Sequence, residues 1–340
     1  KKSETIRARG EDFPGPGLLT IEATGAQTVS FDTFEENATL GFYAQQVFGL
    51  GDRLFLTGAV RVDNNSAFGD EIMWVTYPKA SLSYVLHEEP WFAEGKPGWL
   101  DAFRLRAAWG QSGVQPPSFV ALKTFGFVPG PSGKSGVSPS TLGNPDLRPE
   151  IGDEIEFGFD SDLFDQRIGL NFTWYRKNTK DAILLRPNAP SSGFPGSRYV
   201  NAGLIANKGI EAELDASLVN SSSFGLNLGV RYSWNTSEIK QLSGEAGDTA
   251  IVWNFQNSME HRVGYPPHSY FGPVVVGATW DAAAKKGINP QCDDGKGGTM
   301  ACFIGTTRTV QAPRLYNGRA VAPHNIGISG VLRLGSSIRV

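Results

Sequence analysis

The chain has 340 residues, with 31 Lys and Arg against 34 Asp and Glu and a formal net charge of −3 at pH 7. So near-neutral a balance excludes a general nucleic-acid binder, which needs a basic excess to neutralise phosphates. No apolar run reaches the roughly 18 residues of a membrane-spanning helix, so any membrane role falls to a strand barrel, the other structure that satisfies every backbone group in lipid.

In chain order, the first predicted hairpin joins Leu40–Phe48 to Arg53–Asp63 through Gly49-Leu50-Gly51-Asp52. Leu40, Phe42, Ala44 and Phe48 share one face, and Tyr43, Gln45 and Val47 the other. Its second arm sets Leu54, Leu56, Val60 and Val62 against Arg53, Thr57, Arg61 and Asp63. Successive strand side chains point to opposite faces, so each arm is apolar on one side and wet on the other. Further arms follow the same rule. Ala80, Leu82, Tyr84 and Leu86 oppose Lys79, Ser81 and Ser83, while Phe103, Leu105, Ala107 and Trp109 oppose Arg104 and Arg106. Glu154–Asp160 and Arg167–Tyr175 form the clearest hairpin: Ile155, Phe157, Phe159, Ile168, Leu170, Phe172 and Trp174 lie on its apolar face. Ile210 to Leu218 and Phe224 to Trp234 form the last pair, with Glu211, Glu213, Asp215 and Arg231 on the wet side. Leu332–Val340 reads as one more strand. Lys1-Lys2-Ser3-Glu4 is followed by no apolar segment, and the expectation is an internal piece of a longer protein.

The connections alternate. Short ones fall near 49–52, 161–166 and 220–223, and an intermediate one at 87–101; long ones run through 112–149, 177–207 and 237–323. The long ones therefore emerge at one end, as in outer-membrane barrels. A soluble β-sandwich also alternates apolar and polar residues and remains a second reading. Arms of nine or more residues fit a tilted bilayer crossing of about 9–11 residues better than an ordinary strand of about 5–6. Phe48, Tyr84, Trp109, Trp174, Tyr232 and Trp234 stand on the apolar face near arm ends, where interface girdles form.

Five strings carry a family resemblance: Arg61-Val62-Asp63-Asn64-Asn65-Ser66-Ala67-Phe68-Gly69, Leu105–Gly113 (LRAAWGQSG), Gly143-Asn144-Pro145-Asp146-Leu147-Arg148-Pro149-Glu150, Tyr175–Asp181 (YRKNTKD), and Asn201-Ala202-Gly203 with Asn207-Lys208-Gly209-Ile210-Glu211. In this order they resemble motifs of TonB-dependent outer-membrane receptors of the SusC/RagA type. The resemblance implies an all-β fold, with residues 1–340 forming part of one antiparallel transmembrane β-barrel of roughly 22 strands. The plug domain, the early strands and the final strand of such a receptor are expected to lie outside this chain. It further implies residence among outer-membrane lipids, a SusD-like surface lipoprotein and TonB as partners, and energised import of a glycan, peptide or similar ligand. A non-transporting barrel with adhesive loops is the alternative within the membrane. Locally, Asn144-Pro145-Asp146 is expected to end a loop and launch a strand, and Gly209 to mark a bend or bulge.

On the wet faces Arg53, Arg61, Arg104, Arg106, Glu154, Glu156, Glu211, Glu213 and Arg231 are expected to line a lumen and meet a plug, their mixed signs suiting a hydrated wall better than a single-ion pore. The loop aromatics Phe125, Phe127, Phe194, Tyr199, Trp253, Phe255, Tyr265, Tyr270 and Phe271 are available to stack on a ligand or meet a lipoprotein lid, and equally to pack the loops. Cys292 and Cys302, the two cysteines, lie ten apart in a Gly-rich loop and read as a disulfide. Asp293-Asp294-Gly295 lacks the ligand spacing of a calcium loop. His87, His261, His268 and His324 are scattered, and no metal site is expected. No P-loop, G-x-S-x-G elbow or Rossmann fingerprint appears, so no enzymatic reading and no cofactor follow.

Overall fold

The computed structural model describes residues 2–11, 26–36, 38–66, 74–129, 135–201, 203–242, 250–253, 259–304, 309–310, 312–335 and 338–339. Ten strands form one antiparallel sheet in strict chain order. They are β1 (Thr39–Leu50), β2 (Leu54–Asn65), β3 (Val75–Val85), β4 (Leu100–Val114), β5 (Glu150–Leu163), β6 (Ile168–Lys180), β7 (Leu204–Asn220), β8 (Phe224–Gln241), β9 (His324–Leu334) and β10 (Ile338–Arg339). The predicted arms up to Trp234 fall on the first eight of these strands, with Arg53, Leu86 and Arg167 just outside their ends. Tight turns at 51–53, 164–167 and 221–223 sit at one end of the sheet, and the long connections at the other. No helix among the described residues is long and apolar enough to cross a membrane.

The strands run further than the apolar alternation suggested. Pairing of β6 with β7 continues to Lys180 opposite Leu204, beyond the predicted arm end at Tyr175. The long connections also carry small sheets of their own. These are hairpins of Thr124–Pro129 with Ser135–Thr141 and of Ile183–Pro187 with Ser197–Asn201, and a three-stranded sheet of Val275–Asp281, Lys286–Asp293 and Thr299–Ala301. A four-stranded sheet joins Ala250–Trp253, Met259–Arg262, Ser269–Gly272 and Leu315–Gly318. Near the end of the chain, the predicted single strand over Leu332–Val340 is corrected. Gly335, at φ 64°, turns the chain back so that Arg339 pairs with Arg333.

Apart from Phe92, which stacks on Phe103 at 6.4 Å near the tight-turn end, the apolar face of the sheet is left open among the described residues. Phe42 is 61 % exposed, Phe157 49 % and Ile328 73 %. A sandwich would have buried these side chains against a second sheet. On this face Phe103, Phe159 and Phe172 form a ladder with centroid spacings of 5.6 Å at each step. Phe157 stacks on Trp174 at 6.0 Å. Along β8 the apolar face runs from Phe224 to Trp234, ten residue steps that rise about 26 Å at a tilt of about 40°, the height of a barrel's hydrocarbon band. The fully buried side chains lie mostly above the sheet's long-connection end: Leu147, Ile239, Leu242, Phe271, Cys292 and Cys302.

Gly209 is no bulge. It stays in register between Tyr175 and Asn235, and the register shifts of β7 against β8 fall instead at Leu204/Ile205 and Ser217/Val219. Its hydrogen leaves room for the Tyr175 ring, whose hydroxyl accepts a hydrogen bond from Asn235 Nδ2 at 2.6 Å. A Cβ at position 209 would stand 2.6 Å from that hydroxyl.

Two substitutions and one control test this architecture in the folded receptor. Leu214→Arg, central on the apolar face between Leu170 and Val230, should cost about 2–4 kcal/mol in bilayer unfolding titrations, the midplane cost of a cation facing lipid. Gly209→Ala should displace Tyr175 and cost about 1–3 kcal/mol by overpacking, read in the same titration, whereas Gly58→Ala, with open space at its Cβ, should cost less than 1 kcal/mol by the roughly 0.5 kcal/mol scale of unstrained surface changes.

Candidate functional site

The polar face of the sheet is organised by cross-strand ion pairs. Register places Arg104 of β4 opposite Asp160 of β5, and Glu213 of β7 opposite Arg231 of β8. Arg104 and Arg106 both reach the Asp160 carboxylate, at 2.5 and 2.9 Å, and Arg106 also donates to Thr173 Oγ1 at 3.3 Å. Arg231 bridges Glu213 at 2.5 Å and Asp215 at 3.0 Å. Between these clusters lies an open trough of about 710 Å³, lined also by Asn171, Thr173, Glu211, Ser233 and Asn325. A second trough of about 420 Å³ is bordered by Tyr43, Gln45, Thr57, Lys79, Gln111, Glu154 and Glu156. Lys177 lies 3.5 Å from Glu154, and Arg61 2.8 Å from Asp63.

Eight of the nine charged residues selected from the sequence thus share this face. Arg53 does not join them: it sits in the tight turn after β1 and pairs with Glu89 at 3.3 Å, at the opposite end from the long connections. Asp160, Asn171 and Asp215 stood on the polar side of the sequence alternation without being selected for the lumen, and Lys177 lay beyond the predicted arm end. The pairing that brings Asp160 between two arginines depends on register.

At the long-connection end the motif residues hold one another. Asn144 Nδ2 donates to the Tyr199 carbonyl at 3.0 Å, and the Asp146 amide to Asn144 Oδ1 at 3.3 Å. Asn201 Nδ2 donates to the carbonyls of Arg148 (2.7 Å) and Asp181 (2.8 Å), while its Oδ1 accepts from the Arg148 amide at 2.8 Å. The Glu150 carboxylate accepts from the Ile183 amide at 2.6 Å, and β5 begins at that same residue. The segment therefore does end a loop and launch a strand, and it also ties two long connections together.

Of the loop aromatics, Phe194 packs on Phe125 at 5.7 Å with Lys123 Nζ 5.6 Å from its ring. Phe125 and Tyr270 are exposed and Tyr199 is half-buried. Phe271 is 2 % exposed, enclosed by Tyr265 and Tyr316, with the Arg262 guanidinium 4.0 Å from its centroid. It anchors its loop sheet and offers no ring surface, which corrects its assignment as a contact residue. Phe255, and the side chains of Phe127 and Trp253, lie outside the described residues. Cys292 and Cys302 form the expected disulfide, Cα atoms 5.0 Å apart, buried against Met300 and Ala312. The Asp294 carboxylate accepts from the Lys296 and Gly298 amides, which hold its pKa below the usual carboxylate value. The Asp293-Asp294-Gly295 turn is thereby organised by its own backbone. No cluster of three or more metal-ligating side chains occurs among the described residues.

One grouping escaped the sequence entirely. The hairpin turn after Arg262 stacks His268 edge-on against His261 at 4.4 Å, in a loop sheet where Glu260, 2 % exposed, lies between Arg262 (2.6 Å) and Arg314 (2.5 Å). Burial and then the neighbouring His268 lower the His261 pKa from 6.5 to about 4. Between those values the unfolded imidazole binds a proton that the folded one refuses, so the loop sheet loses stability as pH falls through that window, by up to about 3 kcal/mol. Hydrogen exchange of the amides in 259–272, corrected for intrinsic rates, should show falling protection from pH 6.5 to 4, and His261→Phe should flatten that slope.

A family model described as "TonB dependent receptor-like, beta-barrel" matches residues 7–318. TonB-dependent receptor P39 of Formosa agariphila is 27 % identical over 214 residues, covering 62 % of this chain and 20 % of its own length. TonB-dependent receptor SusC of Bacteroides thetaiotaomicron is 24 % identical over 280 residues, covering 78 % and 27 %. The chain thus spans about a quarter of these relatives or less. Among solved structures, that of the RagAB peptide transporter superposes with a TM-score of 0.81 at 18 % identity, over 98 % of this chain and 36 % of that one. With matching motifs, an uncovered apolar face and a charged inner register, the chain belongs to the TonB-dependent receptor β-barrel family, of the SusC/RagA-like type, and is a partial barrel wall of the bacterial outer membrane.

Proposed function

We propose that this chain is the wall of a nutrient importer, in which the polar face lines the lumen and binds a plug domain supplied by the rest of the receptor. The carrying observation is the ion-paired trough of Arg104, Arg106, Asp160, Glu213 and Arg231 on the face opposite the lipid. Its groups keep unused hydrogen-bonding capacity, so a plug can dock through reversible polar contacts and move when pulled. The function is uptake of a glycan, peptide or similar ligand, with binding and translocation in place of bond chemistry. Residues 1–340 form part of one barrel domain of about 22 strands, with the plug, the early strands and the final strand outside them. TonB acts through that plug-bearing part, and a SusD-like lipoprotein covers the long connections, to which Phe194, Tyr199 and Tyr270 contribute. That the RagAB protein of like fold is a peptide transporter supports a peptide among the candidates.

The test is uptake by the native host with and without the receptor gene, using labelled oligosaccharide and peptide mixtures. Accumulation of one class should vanish on deletion and on collapse of the proton gradient. Surface binding that survives the uncoupler, with no accumulation in either strain, would establish an adhesive barrel instead.

A further inference from the structure

The lipid-facing side of the sheet carries a feature that transport leaves unused. Trp174 of β6 and Trp234 of β8 flank Ile210 in one cross-strand row. One step further towards the long connections, Arg176 of β6 stands directly opposite Lys208 of β7. Both side chains are exposed, and neither makes an ion pair or a side-chain hydrogen bond among the described residues. Like charges directly opposite on neighbouring strands destabilise a sheet. Just past the aromatic row, at headgroup level, an anion that meets both cations relieves that repulsion. The two tryptophans, Arg176 and Lys208 border a groove of about 490 Å³, closed at its outer end by Thr236, Glu238 and Lys240. Lys240 lies 2.7 Å from Glu238, which neutralises the one carboxylate lining the groove.

We infer that Arg176 and Lys208 form a docking site for the phosphate group of an outer-leaflet lipid, whose acyl chains lie along Trp174 and Trp234. The long-connection end of a barrel of this family faces the outer leaflet, so the inference rests on the membrane reading. Guanidinium and ammonium differ in what they offer: Arg176 presents a planar fork to two phosphate oxygens, and Lys208 a point charge to the third. The bound anion removes the repulsion between the two cations and fixes the wall's height relative to the headgroups. Hydrophobic tails below and charge above make the site selective for a lipid over a free anion.

The complete receptor, purified from outer membranes in detergent, is exchanged against lipid A and against the same lipid after phosphatase treatment, and retained lipid is read by native mass spectrometry. The wild type should hold the phosphorylated form about tenfold better, the discrimination expected from two cations near an anionic headgroup. Arg176→Gln/Lys208→Gln should lose that preference, and Arg176→Lys/Lys208→Arg should keep it. Equal retention of both lipids by the wild type would overturn the inference, and so would an undiminished preference in the Gln variant. Full displacement by millimolar inorganic phosphate would reassign the site to a free anion. Heat-modifiable gel mobility reports the barrel separately: its absence in the wild type would overturn the membrane reading itself.

Discussion

Backbone hydrogen bonding in hydrocarbon is the constraint on which the rest of this structure depends. With no water to satisfy an amide or carbonyl, each must find a partner on the adjacent strand. The ten strands answer with an unbroken antiparallel ladder from β1 to β10. The chain-order meander follows, because tight turns such as 51–53 and 221–223 can join only neighbours. Once pairing is fixed, each side chain has two choices of face. The apolar set faces outward uncovered, so its stabilisation comes from lipid and from ring contacts such as Phe103–Phe159–Phe172.

The inner face obeys a different economy. Its ion pairs are mostly half-exposed, and such pairs contribute about 0–1 kcal/mol each. Their value lies in keeping a wet, mixed-sign surface in a defined geometry. Arg104 and Arg106 converge on one carboxylate, and Arg231 divides between two. A surface of this kind suits contacts that must form and release, whereas a dry apolar interface would hold its partner fast.

Three of the five motifs that carried the family resemblance, around Asn144, Tyr175 and Asn201, hold the rim of the wall together. Asn144, Arg148, Glu150 and Asn201 close a hydrogen-bonded clamp at the base of two long connections. Gly209 makes room for Tyr175. These residues position the hairpins of 124–141 and 183–201 at the sheet rim, and the exposed Phe125 ring with them. A loop held at its base in this way can vary its tip without disturbing the strands below.

Alternation alone determined the first eight strands of the sheet, the two faces and the end from which the long connections emerge, because a period of two is local and survives in any reading of the sequence, whereas β9 and β10 replaced the single last strand that it suggested. The Cys292–Cys302 bridge was legible for a similar reason, since only two thiols are present. Strand ends were not legible. Beyond the hydrocarbon the outward positions become polar, as at Arg176, Asn178 and Lys180, so alternation disappears while backbone pairing continues to Leu204. The tertiary structure alone decided which charges meet, that Phe271 turns inward, that His268 stacks on His261, and that Arg176 faces Lys208. Each depends on register or on a loop's path, which bring together residues from seven to more than fifty positions apart, or turn a ring inward, without leaving a periodic trace in the chain.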